Sequence, residues 1–255
     1  MDKRGNKQYI AITLTAATLA ICAVIMAKHR LSEYASNEYY IISGRDILNV
    51  IFMSNDFKRY PYLDKNDMRV WISLFLFYIV GIILLNYCFL SKSGEYYCLI
   101  YSRAESKKSA VKFMKGNSLK KTICYSGVYS LVCYSGMIAC MNFITNKTAA
   151  VDDRLFMELI LHTIVLVLML ILLQRIMLFV YVKLNGAYAF MTGVVVITIV
   201  LILDMQMKGW SIILFSSNHF YADSIGLLGT INMIWYFIEN KFLYTQLPYE
   251  GGNEN

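Results

Sequence analysis

Residues Tyr101–Lys121 read YSRAESKKSAVKFMKGNSLKK and carry seven of the chain's 24 Lys and Arg. The stretch lies between two strongly apolar runs, Val70–Leu90 and Thr122–Ile144. Lys and Arg accumulate in the short cytoplasmic loops of membrane proteins, because the segments carrying them resist translocation. The spacing therefore predicts a cytoplasmic loop over 91–121, held between two membrane spans.

Composition points the same way. Of 255 residues, 58% are hydrophobic and 16% are charged, whereas a soluble domain has about 45–50% apolar and about 25% charged residues. The water-facing surface must be small, which predicts an all-α integral membrane protein. The net charge of +7 does not suggest nucleic acid, because the basic residues fall in short segments between apolar runs and form no face on a folded domain. The six cysteines (Cys22, Cys88, Cys98, Cys124, Cys133 and Cys140) include no CxxC pair. Neither a disulfide framework nor a zinc site has its spacing here.

A hydrocarbon core of about 30 Å takes about 20 apolar residues at about 1.5 Å each. Six stretches qualify: Tyr9–Ala27, Val70–Leu90, Thr122–Ile144, Leu155–Leu173, Ala187–Leu203 and Gly226–Phe242. They predict a single transmembrane domain over 1–255. The third is the least apolar, and Ser126, Gly127, Ser130, Ser135, Gly136 and Ala139 predict that it packs closely among its neighbours. Pro61 and Pro248 fall outside every span, so kinks at proline are not expected. At 19 residues, and with no small-x-small site before Lys28, the first span reads as retained rather than as a cleaved signal.

Direction follows from the loops. The stretch from Lys92 to Lys121 holds eight basic residues against Glu95 and Glu105, and Lys3, Arg4 and Lys7 precede the first span. The segment 28–69 has seven basic residues accompanied by six acidic ones, so it separates only weakly from the 91–121 loop. The best single solution places both termini in the cytoplasm. It leaves 28–69 outside, a short outer loop at 145–154, an inner turn near Lys183–Gly186, and a second outer segment at Asp204–Ile225. Two outer pieces carry signals of their own. Ser43 with Asp46 resembles a capping box, and Ile47, Leu48, Ile51 and Phe52 share a helical face, predicting a short helix on the membrane surface. Trp210 with Ile212–Phe215 predicts an interfacial or re-entrant piece.

Chemistry-bearing motifs are sparse. The sequence contains no GxxxxGK[ST], GxGxxG, HExxH or GxSxG, so no energy source is visible in the chain itself. Glu158 and His162 are four apart on one face of the fourth span. An intramembrane ionisable pair is a candidate for substrate or proton contact, and with Asp204 or His219 as a third donor it becomes a candidate metal or catalytic site. An ordinary helix–helix hydrogen bond is the reading favoured for it. Arg175 beside Gln174 is explained by snorkelling at a span end, as is Lys241 beside Glu239 and Asn240. Asn232 predicts an interhelical hydrogen bond.

Within the basic loop, Ala110, Val111, Phe113 and Met114 make a short basic amphipathic helix, suited to a lipid surface or a partner's groove. With the order of spans around it, CLIYSRAESKKSAVKFMKGNSLKK is similar to the region between spans two and three in the six-helix permease subunits of type-2 ABC exporters, particularly the small bacteriocin-type ones of Gram-positive bacteria. Arg103, Ser106, Lys107 and Lys108 match the basic cluster, Phe113 falls at an aromatic anchor, and Ala104 or Glu105 stands where that pattern has glycine. LILLQRIMLFVYVKLNGAYAFM resembles the junction of spans four and five. The resemblance implies a coupling helix on which Arg103, Ser106, Lys107, Lys108, Lys112, Phe113 and Lys115 meet two ABC ATPase subunits. It also implies a second permease copy or a related permease, a bacterial plasma-membrane location, and export of, or protection against, an amphipathic peptide. The chain would not itself be an enzyme and would need no cofactor. The alternatives are a stand-alone membrane immunity protein without an ATPase, and an intramembrane enzyme using Glu158 and His162.

Overall fold

The computed structural model describes residues 3–35, 42–54, 68–90, 118–145, 153–207, 210–215 and 221–246. These residues form seven helices and no strand: α1 (Lys3–Ala35), α2 (Gly44–Ile51), α3 (Met68–Leu90), α4 (Ser118–Thr145), α5 (Asp153–Lys183), α6 (Gly186–Gln206) and α7 (Tyr221–Gln246). The six long helices alternate in direction, and α5 packs against α3, α4, α6 and α7. α1 lies along α4, and α2 is wedged among α1, α3 and α4.

Four helices are long and apolar enough to cross a membrane: Lys7–Glu33, Ser118–Met141, Arg154–Tyr181 and Gly186–Gln206. α3 carries a shorter apolar stretch, Trp71–Asn86. The expected spans at 70–90 and 226–242 are helical throughout, but α7 carries Asn232 near its middle and Glu239, Asn240 and Lys241 in its C-terminal half. Most helices outrun their expected spans. α1, for instance, has 33 residues, about 50 Å at about 1.5 Å per residue, because nothing in the polar flanks at either end breaks a helix. The apolar surface is turned outward: Leu14, Ile25, Met191, Met233 and Phe237 are all more than half exposed. Apolar exposure on that scale marks a surface meant for lipid or for another protein.

The expected turn near Lys183–Gly186 joins α5 to α6, and Asn185 caps α6 by accepting a hydrogen bond from the Tyr188 amide at 3.0 Å. The expected short helix also forms. Asp46 Oδ2 accepts from the Ser43 amide and hydroxyl at 2.6 and 2.7 Å, the acidic half of a capping box. Its position differs from expectation, since Asp46 through Ile51 are all buried. α2 is inserted into the end of the bundle and does not lie on its surface, because its polar side chains find partners there.

α4 shares with α5 the largest buried fraction of the four apolar helices, 44% each against 33% for α1 and 22% for α6. Of the six small residues expected to pack closely, Ser126 and Ser130 are buried. Ser135 and Ala139 are exposed, and the space beside Gly127 is open. Aromatic residues fill the seam beside the buried serines. Tyr125 stacks on Phe77 at 5.1 Å and donates its hydroxyl to the Phe77 carbonyl at 2.8 Å, while Tyr129 meets Phe77 at 4.5 Å. Gly136 is close-packed as well: a Cβ there would stand 2.7 Å from Val24 of α1. β-branched Val24 cannot rotate away cheaply. Gly136→Ala is therefore expected to destabilise the protein in detergent by roughly 1–3 kcal/mol through overpacking, whereas Gly127→Ala is expected to be neutral or stabilising by up to about 1 kcal/mol through helix propensity. Thermal unfolding of the two variants in mild detergent checks the contrast.

Candidate functional site

The α2 end of the bundle holds two pieces of chain that do not span it, α2 itself and residues 210–215. Both are fixed by few, specific contacts. Asp204, at the end of α6 and fully buried, accepts from the amides of Ile212, Ile213 and Leu214 at 2.6, 2.7 and 3.0 Å and from the Ser211 hydroxyl at 3.0 Å. A buried amide without an acceptor is costly, most of all in an apolar surround. One carboxylate resolves three such amides, each by a charge-assisted bond. The turn is pinned further by Ser224 of α7, whose hydroxyl donates to the Ser211 carbonyl at 2.8 Å, and by the Phe215 amide, which donates to the Met53 carbonyl at 2.8 Å. Met53 adopts φ +57°, a left-handed conformation that costs a residue with a Cβ roughly 1–2 kcal/mol. The hydrogen bond to Phe215 holds it there.

Glu158 and His162 lie one turn apart on α5, as their spacing requires, but they face different partners. Glu158 forms an ion pair with Arg45 of α2 and lies 3.4 Å from Arg154. The His162 ring packs edge-on against Phe52 at 4.8 Å, Phe215 at 5.3 Å and Tyr221 at 6.1 Å. His162 thus touches the end of α2, the 210–215 turn and the start of α7 at once. Glu158 therefore makes its interhelical contact to α2 through Arg45, while the contacts of His162 are between rings. Asp204, the described third donor for a metal, has its oxygens committed to the turn, and His219 lies outside the described residues. Among the described residues no group of three His, Cys, Asp or Glu could hold a metal ion. The arrangement is a lock: an ion pair, a carboxylate and an aromatic cluster close this end with two short segments.

At the opposite end the contacts are interhelical and polar. Gln174 Nε2 donates to Thr122 Oγ1 at 2.9 Å, Lys121 Nζ to Gln8 Oε1 at 2.9 Å, and Asn232 Nδ2 to the Leu168 carbonyl at 3.0 Å. The expected role of Asn232 is thereby seen. Arg103, Ser106, Lys107, Lys108, Lys112, Phe113 and Lys115 lie outside the described residues. Asp204 is the residue that sequence reasoning undervalued. Its signal was an acid closing an apolar helix, with an apolar run seven residues on that is too short to span.

No protein-family model, curated protein or solved structure matches the chain.

Two outcomes test the lock. Asp204→Ala should cost about 3 kcal/mol or more, since three buried amides lose their acceptor, and Asp204→Asn should cost less. A double-mutant cycle of Arg45→Met and Glu158→Gln should give a coupling of about 1–3 kcal/mol, with each single change worse than the pair. Thermal unfolding in detergent reads both.

Proposed function

We propose that this chain is the membrane-spanning permease subunit of an ATP-driven ABC transporter of the plasma membrane of a bacterium, which exports or gives protection against an amphipathic peptide. The observation that carries the reading is the placement of charge. Eight basic residues fall from Lys92 to Lys121, in the sequence between α3 and α4, whereas Arg45 of α2 is paired with Glu158. That asymmetry supports a cytoplasmic basic end with both termini, an outer end closed by α2 and the 210–215 turn, and six spans. On this reading α3 and α7 cross as well, shielded by α5 and by partner subunits.

The mechanism follows from the same geometry. A basic amphipathic helix with Lys107, Lys108, Lys112, Phe113 and Lys115 docks into a groove of an ATPase subunit, and closure of two such subunits on ATP moves it. A rigid helix in a groove converts domain rotation into shifts of packed helices. α4 begins where this segment ends, and α5 touches α3, α4, α6 and α7, so a tilt of α4 is passed to the bundle. At the far end the Arg45–Glu158 pair and the ring contacts of His162 are the interactions that such a shift breaks or remakes. ATP changes the balance of open and closed states only through such differential contacts. A second permease copy or a related permease completes the pathway.

The test is co-purification. A tagged chain taken from its native membrane in mild detergent is expected to bring an ABC ATPase with it. A variant with Lys107, Lys108, Lys112 and Lys115 changed to glutamate should lose that partner while keeping its own expression. An ATPase absent from both preparations would overturn the transporter reading and favour a stand-alone immunity protein.

A further inference from the structure

A groove of about 480 Å³ runs down the exposed side of the α4–α5 seam. Both helices belong to the four that are long and apolar enough to cross a membrane. α4 lines the groove from Leu119 to Leu131 and α5 from Phe156 to Ile171, about 18 and 22 Å of helix at about 1.5 Å per residue. Its walls are accessible from outside. Leu119, Ile123 and Leu131 are more than half exposed, and Ile160 and Ile164 are exposed by 39% and 40%. Gly127 leaves room in it, since a Cβ there would meet nothing within 4 Å.

Shape and chemistry select the occupant. A volume of about 480 Å³ spread over about 20 Å of helix leaves a channel about 5–6 Å across. A helix with its side chains is about 10–12 Å thick, so neither a partner's helix nor a helical peptide seats within it. An extended peptide would bring a row of amides and carbonyls, each needing a partner in an apolar surround. Among the described residues lining the groove, only Ser130 and Thr163 carry hydrogen-bonding side chains. Thr163 gives its proton to the Leu159 carbonyl at 2.7 Å, and the Ser130 hydroxyl is buried. Water does not order in a space so apolar. A single hydrocarbon chain meets every condition, because it is that narrow and asks for no hydrogen bond. A cation stands at one end. Lys120 is exposed in the first turn of α4. It precedes Gly127 by seven residues, which brings it to within about 20° of the same face. A lysine at the end of a membrane span carries its ammonium to the headgroup level.

We propose that this groove holds one acyl chain of a diacyl phospholipid, with its phosphate beside Lys120. The bilayer is as apolar as the groove, so escape from water does not favour the site. Packing against fixed side chains on two walls favours it, and so does the charge of Lys120 on the phosphate. The chain fills the space that Gly127 leaves and braces α4 against α5. The inference needs only that α4 and α5 cross a membrane, and it stands whether or not an ATPase partner exists.

The experiment uses the full chain, delipidated in mild detergent and titrated separately with dioleoylphosphatidylglycerol and with dioleoylglycerol, which has the same chains and no phosphate. Native mass spectrometry counts bound molecules and subunits, and thermal unfolding reads stability. One phospholipid is expected to bind and to raise the unfolding temperature. Dioleoylglycerol should bind about fivefold more weakly, the weight of one cation near a phosphate. Lys120→Gln should remove that difference, and Lys241→Gln, an exposed cation on α7, should keep it. Gly127→Leu and Ile164→Phe fill the groove from opposite walls and should abolish binding and the lipid-dependent rise. Without lipid, Gly127→Leu should unfold no lower than the parent chain. Gly226→Leu, at a glycine equally open but outside the groove, should leave binding intact. Binding retained in both groove variants, or lost equally in Gly226→Leu, would overturn the site. A difference between the two lipids that survives Lys120→Gln would overturn the phosphate contact. A delipidated dimer that Gly127→Leu dissociates would give the groove to a second copy and overturn the lipid reading.

Discussion

A chain with this much apolar surface depends on one constraint above the rest: every buried peptide group must find a partner without help from water. Six long helices meet it internally. The segment 210–215 cannot, because it is too short for a helix and is nonetheless buried from Ser211 to Phe215 except at Ile212. Asp204 supplies what the segment lacks. Its two oxygens accept three consecutive amides and a hydroxyl, and the turn so formed presents the Phe215 amide to Met53 and the Phe215 ring to His162. The position of α2, the left-handed Met53 and the aromatic cluster all follow from that anchored turn.

Much of the helical layout was legible in the sequence because it depends on local pattern. Apolar length located the long helices, Asn185 and Gly186 sit in the turn between α5 and α6, and Ser43 with Asp46 announced α2. What was not legible depends on distant pairs. Arg45 and Glu158 are 113 positions apart, and nothing in the amphipathic pattern of α2 distinguishes a lipid surface from a slot between helices. The burial of α4 was expected from its small residues; Ser126, Ser130 and Gly136 do pack inward, but Tyr125 and Tyr129 share the seam, since large rings against Phe77 cover area that glycine and serine cannot. Asp204 was noticed only as a possible ligand donor; its backbone partners lie in a segment whose fold had no periodicity to read.

The two ends of the molecule differ in kind. One is closed by contacts between pieces that do not span, and these are few enough to be broken together: an ion pair, a ring cluster and a carboxylate nest. The other is polar, basic and aromatic, with Gln174, Arg175 and Asn232 tying α5 to α4 and α7. On the transporter reading proposed above, work would be received at the polar end and the closed end would open. α5 reaches both, pairing with α2 through Glu158 and with α7 through Arg175.

That account requires the two ends to lie on opposite faces of one membrane, with the basic segment inside. The most direct measurement is site-specific labelling in intact cells. In a chain with its native cysteines replaced, single cysteines at positions 112 and 209 are exposed to a membrane-impermeant thiol reagent before and after lysis. The account predicts labelling at 209 in intact cells and at 112 only after lysis. Labelling at 112 from outside, or at both positions from the same side, would contradict it.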